Sequence, residues 1–145
     1  MKFVAQRVTG ATLTVNNQPV SEIGHGLVVY FGIRCGDGEA EAKKCAEKIA
    51  SLRIFEDDGG KMNLSVKDVG GEVLFVSQFT LYGDARKGNR PSFSEAERPE
   101  RANELYECAF AHLNELNVPT KKGVFGADMR ICQVNDGPVT IIYEL

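Results

Sequence analysis

Three short stretches of this chain gather side chains that can do chemistry. Ser77, Gln78 and Thr80, with Phe79 among them, put two hydroxyls and an amide within four residues. Such groups, together with backbone N–H donors, can cradle a carbonyl and stabilise the oxyanion formed when it is attacked. The plainer reading is a strand that finishes in polar residues because the loop backbone needs partners. Asn135-Asp136-Gly137-Pro138-Val139-Thr140 is the second stretch. Asp-Gly between strand-like runs is an ordinary hairpin signal. Pro138 complicates it, since proline cannot donate to a ladder and a Gly-Pro bond can be cis at a cost of only about 0.5–1 kcal/mol. A cis corner would fix unpaired carbonyl oxygens in one direction, where they suit an ammonium or amino group. In the third stretch, Phe125 and Met129 flank Gly126-Ala127-Asp128. They either pack in the core or hold a flat base between them, as happens in single-stranded RNA sites.

Arg86, Lys87 and Arg90 form a basic loop soon after the first stretch, with Arg98, Arg101, Lys121 and Lys122 elsewhere. Such a loop is either a solvated surface or a patch that meets phosphate. Serine chemistry has little support. Ser77 lacks a G-x-S-x-G elbow, and the only histidines are His25 in a glycine loop and His112 on a helical stretch. A side-chain nucleophile with a histidine base is therefore not expected. Cys35, Cys45, Cys108 and Cys132 include no CxxC pair. Reduced structural thiols are expected, with no metal and no cofactor.

Hydrophobic periodicity supplies the elements that must position these groups. Residues 2–8 and 12–15 are β-branched runs broken at Gly10, which predicts an opening hairpin. Residues 16–19 are turn chemistry, and a brief strand precedes Gly24-His25-Gly26. Residues 27–33 are continuously apolar, as a strand buried on both faces should be. Asp37 is the expected N-cap of a helix with Glu39 and Glu41 in its first turn. Ala42, Cys45, Ala46, Ile49 and Leu52 form its apolar face. Residues 57–60 stop it, and a poorly patterned stretch runs to Gly70-Gly71. A second apolar strand at 73–77 and a loop over 81–93 follow. Pro99 opens a helix whose apolar positions run from Ala102 to Leu116, and Val118-Pro119 ends it. Three short β segments, at 122–125, 130–134 and 139–144, close the chain.

The order is ββ-βα-βα-βββ, a mixed α/β pattern. Consecutive βα units predict a parallel strand pair with a right-handed crossover. Helices on one side and extra strands on the other give three layers, α/β/β, in one domain over 1–145. Ligands of open α/β sheets sit beyond the carboxyl ends of parallel strands, which points to residues 77–80. With 145 residues, 43% hydrophobic and 26% charged, the chain is neither disordered nor collagen-like. Its longest apolar run falls far short of the roughly 20 residues of a membrane span, so no membrane partner is expected. No apolar stretch follows the first residues, so no signal peptide is expected either. The formal net charge of -3 discourages a grip on long nucleic acid and leaves room for a local basic patch.

Taken together, Ser-Gln-Phe-Thr-Leu at 77–81, Arg-Lys-Gly at 86–88, Arg-Pro-Ser-Phe at 90–93, Phe-Gly-Ala-Asp-Met at 125–129 and Asn-Asp-Gly-Pro-Val-Thr at 135–140 resemble the D-aminoacyl-tRNA deacylase family. Gln-Arg-Val at 6–8, Leu-Arg-Ile-Phe at 52–55 and Lys-Met-Asn-Leu at 61–64 resemble it too. The resemblance implies the family's fold and a cytoplasmic homodimer that hydrolyses the ester joining a D-amino acid, or glycine, to the terminal adenosine of tRNA. It implies that Ser77, Gln78, Phe79 and Thr80 line the site, with the tRNA 2′-hydroxyl helping to orient water. Phe125 and Met129 would border the adenine, while Arg86, Lys87 and Arg90 would meet acceptor-end phosphates. Gly137 and Pro138, held by Arg7 and inserted into the partner's site, would reject L-amino acids by clash. The aminoacyl-tRNA acceptor end is the expected partner, and DNA is not. Two alternatives stay open. A related editing enzyme with a trans Gly-Pro corner would carry Pro-Gln-Ala-Thr where this chain has Ser-Gln-Phe-Thr. A non-catalytic binder of the tRNA end would also tolerate so few acid–base side chains.

Overall fold

The computed structural model describes residues 1–145. Its first half runs β1 (Lys2–Val15), β2 (Gln18–Ile23), β3 (Gly26–Gly32), α1 (Glu39–Ser51), β4 (Phe55–Glu56) and β5 (Met62–Leu64). The second half runs β6 (Glu72–Ser77), α2 (Pro99–Glu115), β7 (Thr120–Lys122) and β8 (Met129–Glu144).

The predicted hairpin at Gly10 does not form; β1 passes straight through it. The turn comes at Asn16 and Asn17, both with positive φ (51 and 60), and β2 returns antiparallel from there. Asparagine tolerates that conformation, and a two-residue turn of this hand matches the twist of its strands. Gly10 instead adjoins a register shift between Val8 and Gly10 in the β1–β8 ladder. The extra residue changes which side chains face which layer. Before it, Met1, Phe3 and Ala5 join the core beneath the helices. After it, Ala11 and Leu13 turn to the opposite face, where they join Val8 in a second cluster with Ile23, Val28, Leu74 and Val76. One strand therefore serves both interfaces of the expected α/β/β stack.

β3 and β6 pair in parallel, as the two βα units predict. Both strands are buried on both faces, hence their unbroken apolar sequence. Gly26 is required where they start, because a Cβ there would lie 1.9 Å from the backbone oxygen of Glu72. β7 extends the sheet parallel to β6. β3 and β2 share one edge of β1, and β8 covers the other. The outer edge of β8 has no partner strand. α1 and α2 share the larger core, where the Tyr106 hydroxyl donates to the Phe75 carbonyl at 2.7 Å.

Several expectations need correction. The N-cap of α1 is Gly38, whose N–H donates to Glu41 at 2.9 Å. Asp37 is occupied elsewhere, holding the Met1 amino group at 2.9 Å and the Arg34 N–H at 2.7 Å. The poorly patterned stretch contains β5, which pairs with β4 just before the 57–60 stop; both strands are too short to show a period. The chain closes with two strands rather than three. β7 ends at Lys122, and β8 is one strand that runs through the predicted Asp-Gly hairpin. Its ladder with β1 jumps from Val8↔Asn135 to Gln6↔Thr140, so residues 136–139 bulge outward opposite Arg7.

Candidate active site

β6 ends at Ser77, and the chain turns at once into a short 3-10 turn, Phe79–Tyr82. The Gln78 N–H donates to the Phe31 carbonyl at 2.8 Å, tying this point to the end of β3. The N–H groups of Phe79 and Thr80 open the turn and have no backbone acceptor, as first-turn geometry dictates. Beside them lies a cleft of about 670 Å³. Ser77, Gln78, Phe79, Phe93 and the 96–99 and 125–129 segments line it, over buried Phe31, Ile33 and Ala102. Phe79 and Phe93 meet edge-to-face at 5.1 Å, and Phe79 stays 57% exposed. An exposed aromatic pair thus stands beside a row of neutral hydrogen-bonding groups. Thr80 is exposed just outside the lining, where its Oγ1 accepts from Gln78 Nε2.

Neither histidine reaches this cleft. His25 stacks on Phe55 at 5.1 Å, and His112 sits between Glu115 at 2.9 Å and Glu47 at 3.5 Å. The ionisable side chains in the lining are Glu97, Arg98 and Asp128. Glu97 accepts from the Arg98 N–H at 2.8 Å and the Gly36 N–H at 3.3 Å, which pins this wall of the cleft. Sequence reasoning placed none of these three, nor Phe93, in the site. Phe93 sits within the Arg-Pro-Ser-Phe motif, and Arg98 immediately precedes the Pro99 helix start, so position relative to those markers was the available signal.

Gly137, Pro138 and Arg7 lie elsewhere. β3 and β6 pair from Gly26↔Glu72 at one end to Phe31↔Ser77 at the other, and Arg7 pairs with Leu27 near the first end. The bulge at 136–139 is therefore about one strand length, roughly 15 Å, from Ser77 in the same chain. Arg7 is buried, and its Nη1 donates to the Ile54 carbonyl at 2.8 Å. Its Nε lies 3.0 Å from Asp136 Oδ2 at an angle that makes no hydrogen bond, so that contact is electrostatic. Glu56 adds a weaker approach at 3.8 Å. Gly137 has φ +111, and a Cβ there would lie 2.9 Å from Val139 Cγ2 and 3.2 Å from Arg7 Nη2. The Gly137–Pro138 peptide bond is cis.

In the basic loop, Arg86 grips Asp84 with two contacts of 2.8 Å. That grip and the Arg86 N–H hold the Asp84 carboxyl down at about 2. Arg86 faces a separate shallow depression with Lys2, Tyr82 and Glu144. Lys87 and Arg90 are exposed, and neither has an ion-pair partner.

A family model described as D-Tyr-tRNA(Tyr) deacylase matches residues 4–144. The chain belongs to that family. A D-aminoacyl-tRNA deacylase of Carboxydothermus hydrogenoformans is 57% identical over 145 residues, covering 100% of both chains. That of Halalkalibacterium halodurans is 56% identical over 144 residues, covering 99% of each. Among solved structures, one titled c-Myc DNA Unwinding Element Binding Protein matches at TM-score 0.95 and 43% identity over 100% of this chain and 99% of that one. A probable eukaryotic D-amino acid tRNA deacylase matches at TM-score 0.84 over 99% and 98%; at 17% identity it speaks to the fold alone. Membership of the deacylase family accords with the α/β/β architecture and with the ordered motifs that resembled it.

Proposed function

We propose that this protein hydrolyses the ester bond of D-aminoacyl-tRNA, and of glycyl-tRNA, releasing the free amino acid and tRNA. The observation that carries the reading is the cleft itself. It offers neutral donors at Ser77, Gln78 and the Phe79 and Thr80 N–H groups across from Phe125 and Met129, with no histidine base. In this reading Phe125 and Met129 border the terminal adenine, and the backbone donors hold the carbonyl oxygen as negative charge develops on it. Water attacks the carbonyl carbon, and the ester C–O bond breaks. The departing ribose oxygen takes a proton, and the adjacent 2′-hydroxyl of the RNA orients the water. A catalytic site built from neutral groups gains from a substrate that supplies its own polar hydroxyl.

Gly137 and Pro138 act as the chirality filter, with Arg7 as their support. An L side chain collides with the corner, a D side chain points away, and glycine has no side chain to reject. Because the corner lies about one strand length from Ser77 in its own chain, it acts on the cleft of a second copy, which makes the working unit a homodimer. Lys87, Arg90 and Arg86 meet phosphates further along the acceptor end. Charged tRNA places the reaction in the cytoplasm, and no helix is long and apolar enough to cross a membrane. Hydrolysis of D-Tyr-tRNA against L-Tyr-tRNA tests the reading. Fast loss of the D ester alone is expected; equal rates, or turnover of neither, would overturn it.

A further inference from the structure

Arg98 stands apart from most of the chain's arginines. Arg34 pairs with Glu95 at 3.1 Å, Arg101 with Glu104 at 2.7 Å, Arg86 with Asp84, and Arg7 with Asp136. Arg53 donates to the Asn63 carbonyl at 2.7 Å and Arg130 to Asn17 at 3.3 Å. Arg98 is exposed, has no acceptor for its guanidinium, and is the one basic side chain lining the cleft. The nearest carboxylate in sequence, Glu97, bonds the Arg98 backbone N–H rather than its side chain. The backbone of Arg98 is thereby held while its planar fork of donors stays free.

The other charges of the lining give this position a direction. Glu97 and Asp128 are both acidic, so Arg98 is the one charged side chain of the lining that attracts an anion. A nucleotide carries a flat base and a phosphate, and Phe125 and Met129 offer the base its apolar walls. We infer that Arg98 binds the phosphate linking the terminal nucleoside to the preceding nucleotide, and so sets the direction in which the RNA end enters. The inference rests on reading the cleft as the terminal-nucleoside site. It adds to the outer loop arginines a contact inside the cleft that fixes orientation as well as affinity.

AMP and adenosine separate the two ideas, since they differ by the phosphate alone. In calorimetric titrations the wild-type protein is expected to bind AMP about fivefold more tightly than adenosine, near the upper end for an exposed charge pair. Arg98→Ala is expected to bind the two equally with adenosine affinity unchanged, and Arg98→Lys to regain part of the preference. Equal affinities in the wild type would overturn the inference and leave the nucleoside site standing. Binding of neither compound, with no hydrolysis of D-Tyr-tRNA, would overturn both. Steady-state kinetics give a second readout. Arg98→Ala should raise KM for D-Tyr-tRNA about fivefold and flatten its salt dependence by about one charge. It should leave KM for 3′-O-D-tyrosyl-adenosine, which has no phosphate, at the wild-type value. A KM that rises equally for both esters would mark a structural role and sink the proposal.

Discussion

The two ends of the β3–β6 pair are built on opposite principles. At the carboxyl end, Ser77, Gln78 and Thr80 are neutral, partly or fully exposed, and tied down mainly by one backbone bond to Phe31. At the other end a buried arginine ties β1 to two other segments, through the Ile54 carbonyl and Glu56 on one and Asp136 on the other. One end offers hydrogen bonds to something that arrives, and the other holds a corner of backbone still. Under the proposed function, reaction belongs to the soft end and selection to the rigid one. Discrimination by clash needs a wall that does not yield, whereas donors to a developing charge need only be present and unpaired.

The contrast breaks most visibly at Arg7. Arg7→Ala removes the carbonyl bond and leaves Asp136 and Glu56 without their cation. Those carboxylates are 40% and 59% exposed, so water recovers part of the loss. A destabilisation of about 2–3 kcal/mol is expected in urea unfolding, together with a fall in the D-over-L rate ratio. A folded variant with unchanged discrimination would detach the rigid end from selection. Gly137→Ala comes next. Its positive φ and the close Val139 and Arg7 atoms should cost about 1–3 kcal/mol, and faster loss of L-Tyr-tRNA is the enzymatic signature.

At the soft end the effects should be smaller. Thr80→Ala is expected to keep the deacylation rate within about tenfold, because general-base or nucleophilic roles carry larger factors. A collapse in a folded variant would make Thr80 a nucleophile. The pH–rate profile should pass without a histidine inflection near about 6.5, since neither ring is in the cleft. The smallest effect concerns Asp84, whose carboxyl Arg86 holds near 2. A depressed carboxylate stabilises the fold above its unfolded pKa, about 3.9. That contribution fades as the pH falls toward 2, so an Asp84 resonance titrating near 2 is the expected NMR result. Titration near the ordinary value would mean that the Arg86–Asp84 grip does not hold in solution.

Much of the architecture was written in local pattern. The apolar run of β3 and β6 announced a doubly covered parallel pair, and the three- and four-residue spacing of α2 announced its buried face. The failures share a cause. Gly10 and Asp136-Gly137 carry turn signals, yet both lie in long strands because pairing between β1 and β8 absorbs the irregularity as register shifts. Turn propensity is local, and the ladder that overrides it is formed by residues more than a hundred positions apart. For the site, residue types pointed to the Ser77–Thr80 cluster and the Phe125/Met129 pair; the fold brings Ser77, Gln78 and Phe79 to one cleft with that pair and leaves Thr80 just outside its lining. Glu97, Arg98 and Asp128 escaped notice because charged residues are common on surfaces, and only tertiary structure says which of them face a cavity.

The unpartnered edge of β8 also bears on how this protein must be handled. Sixteen residues of strand with one open side amount to a template for any extended chain that comes near. The corner at 136–139 interrupts that template near its middle, since the bulge breaks the ladder and proline has no N–H to give. The corner proposed to select substrates thereby also splits the edge into shorter pieces. Variants that straighten the corner should therefore form fibrillar or amorphous aggregate at concentrations where the parent stays clear, before any loss of secondary structure is detectable.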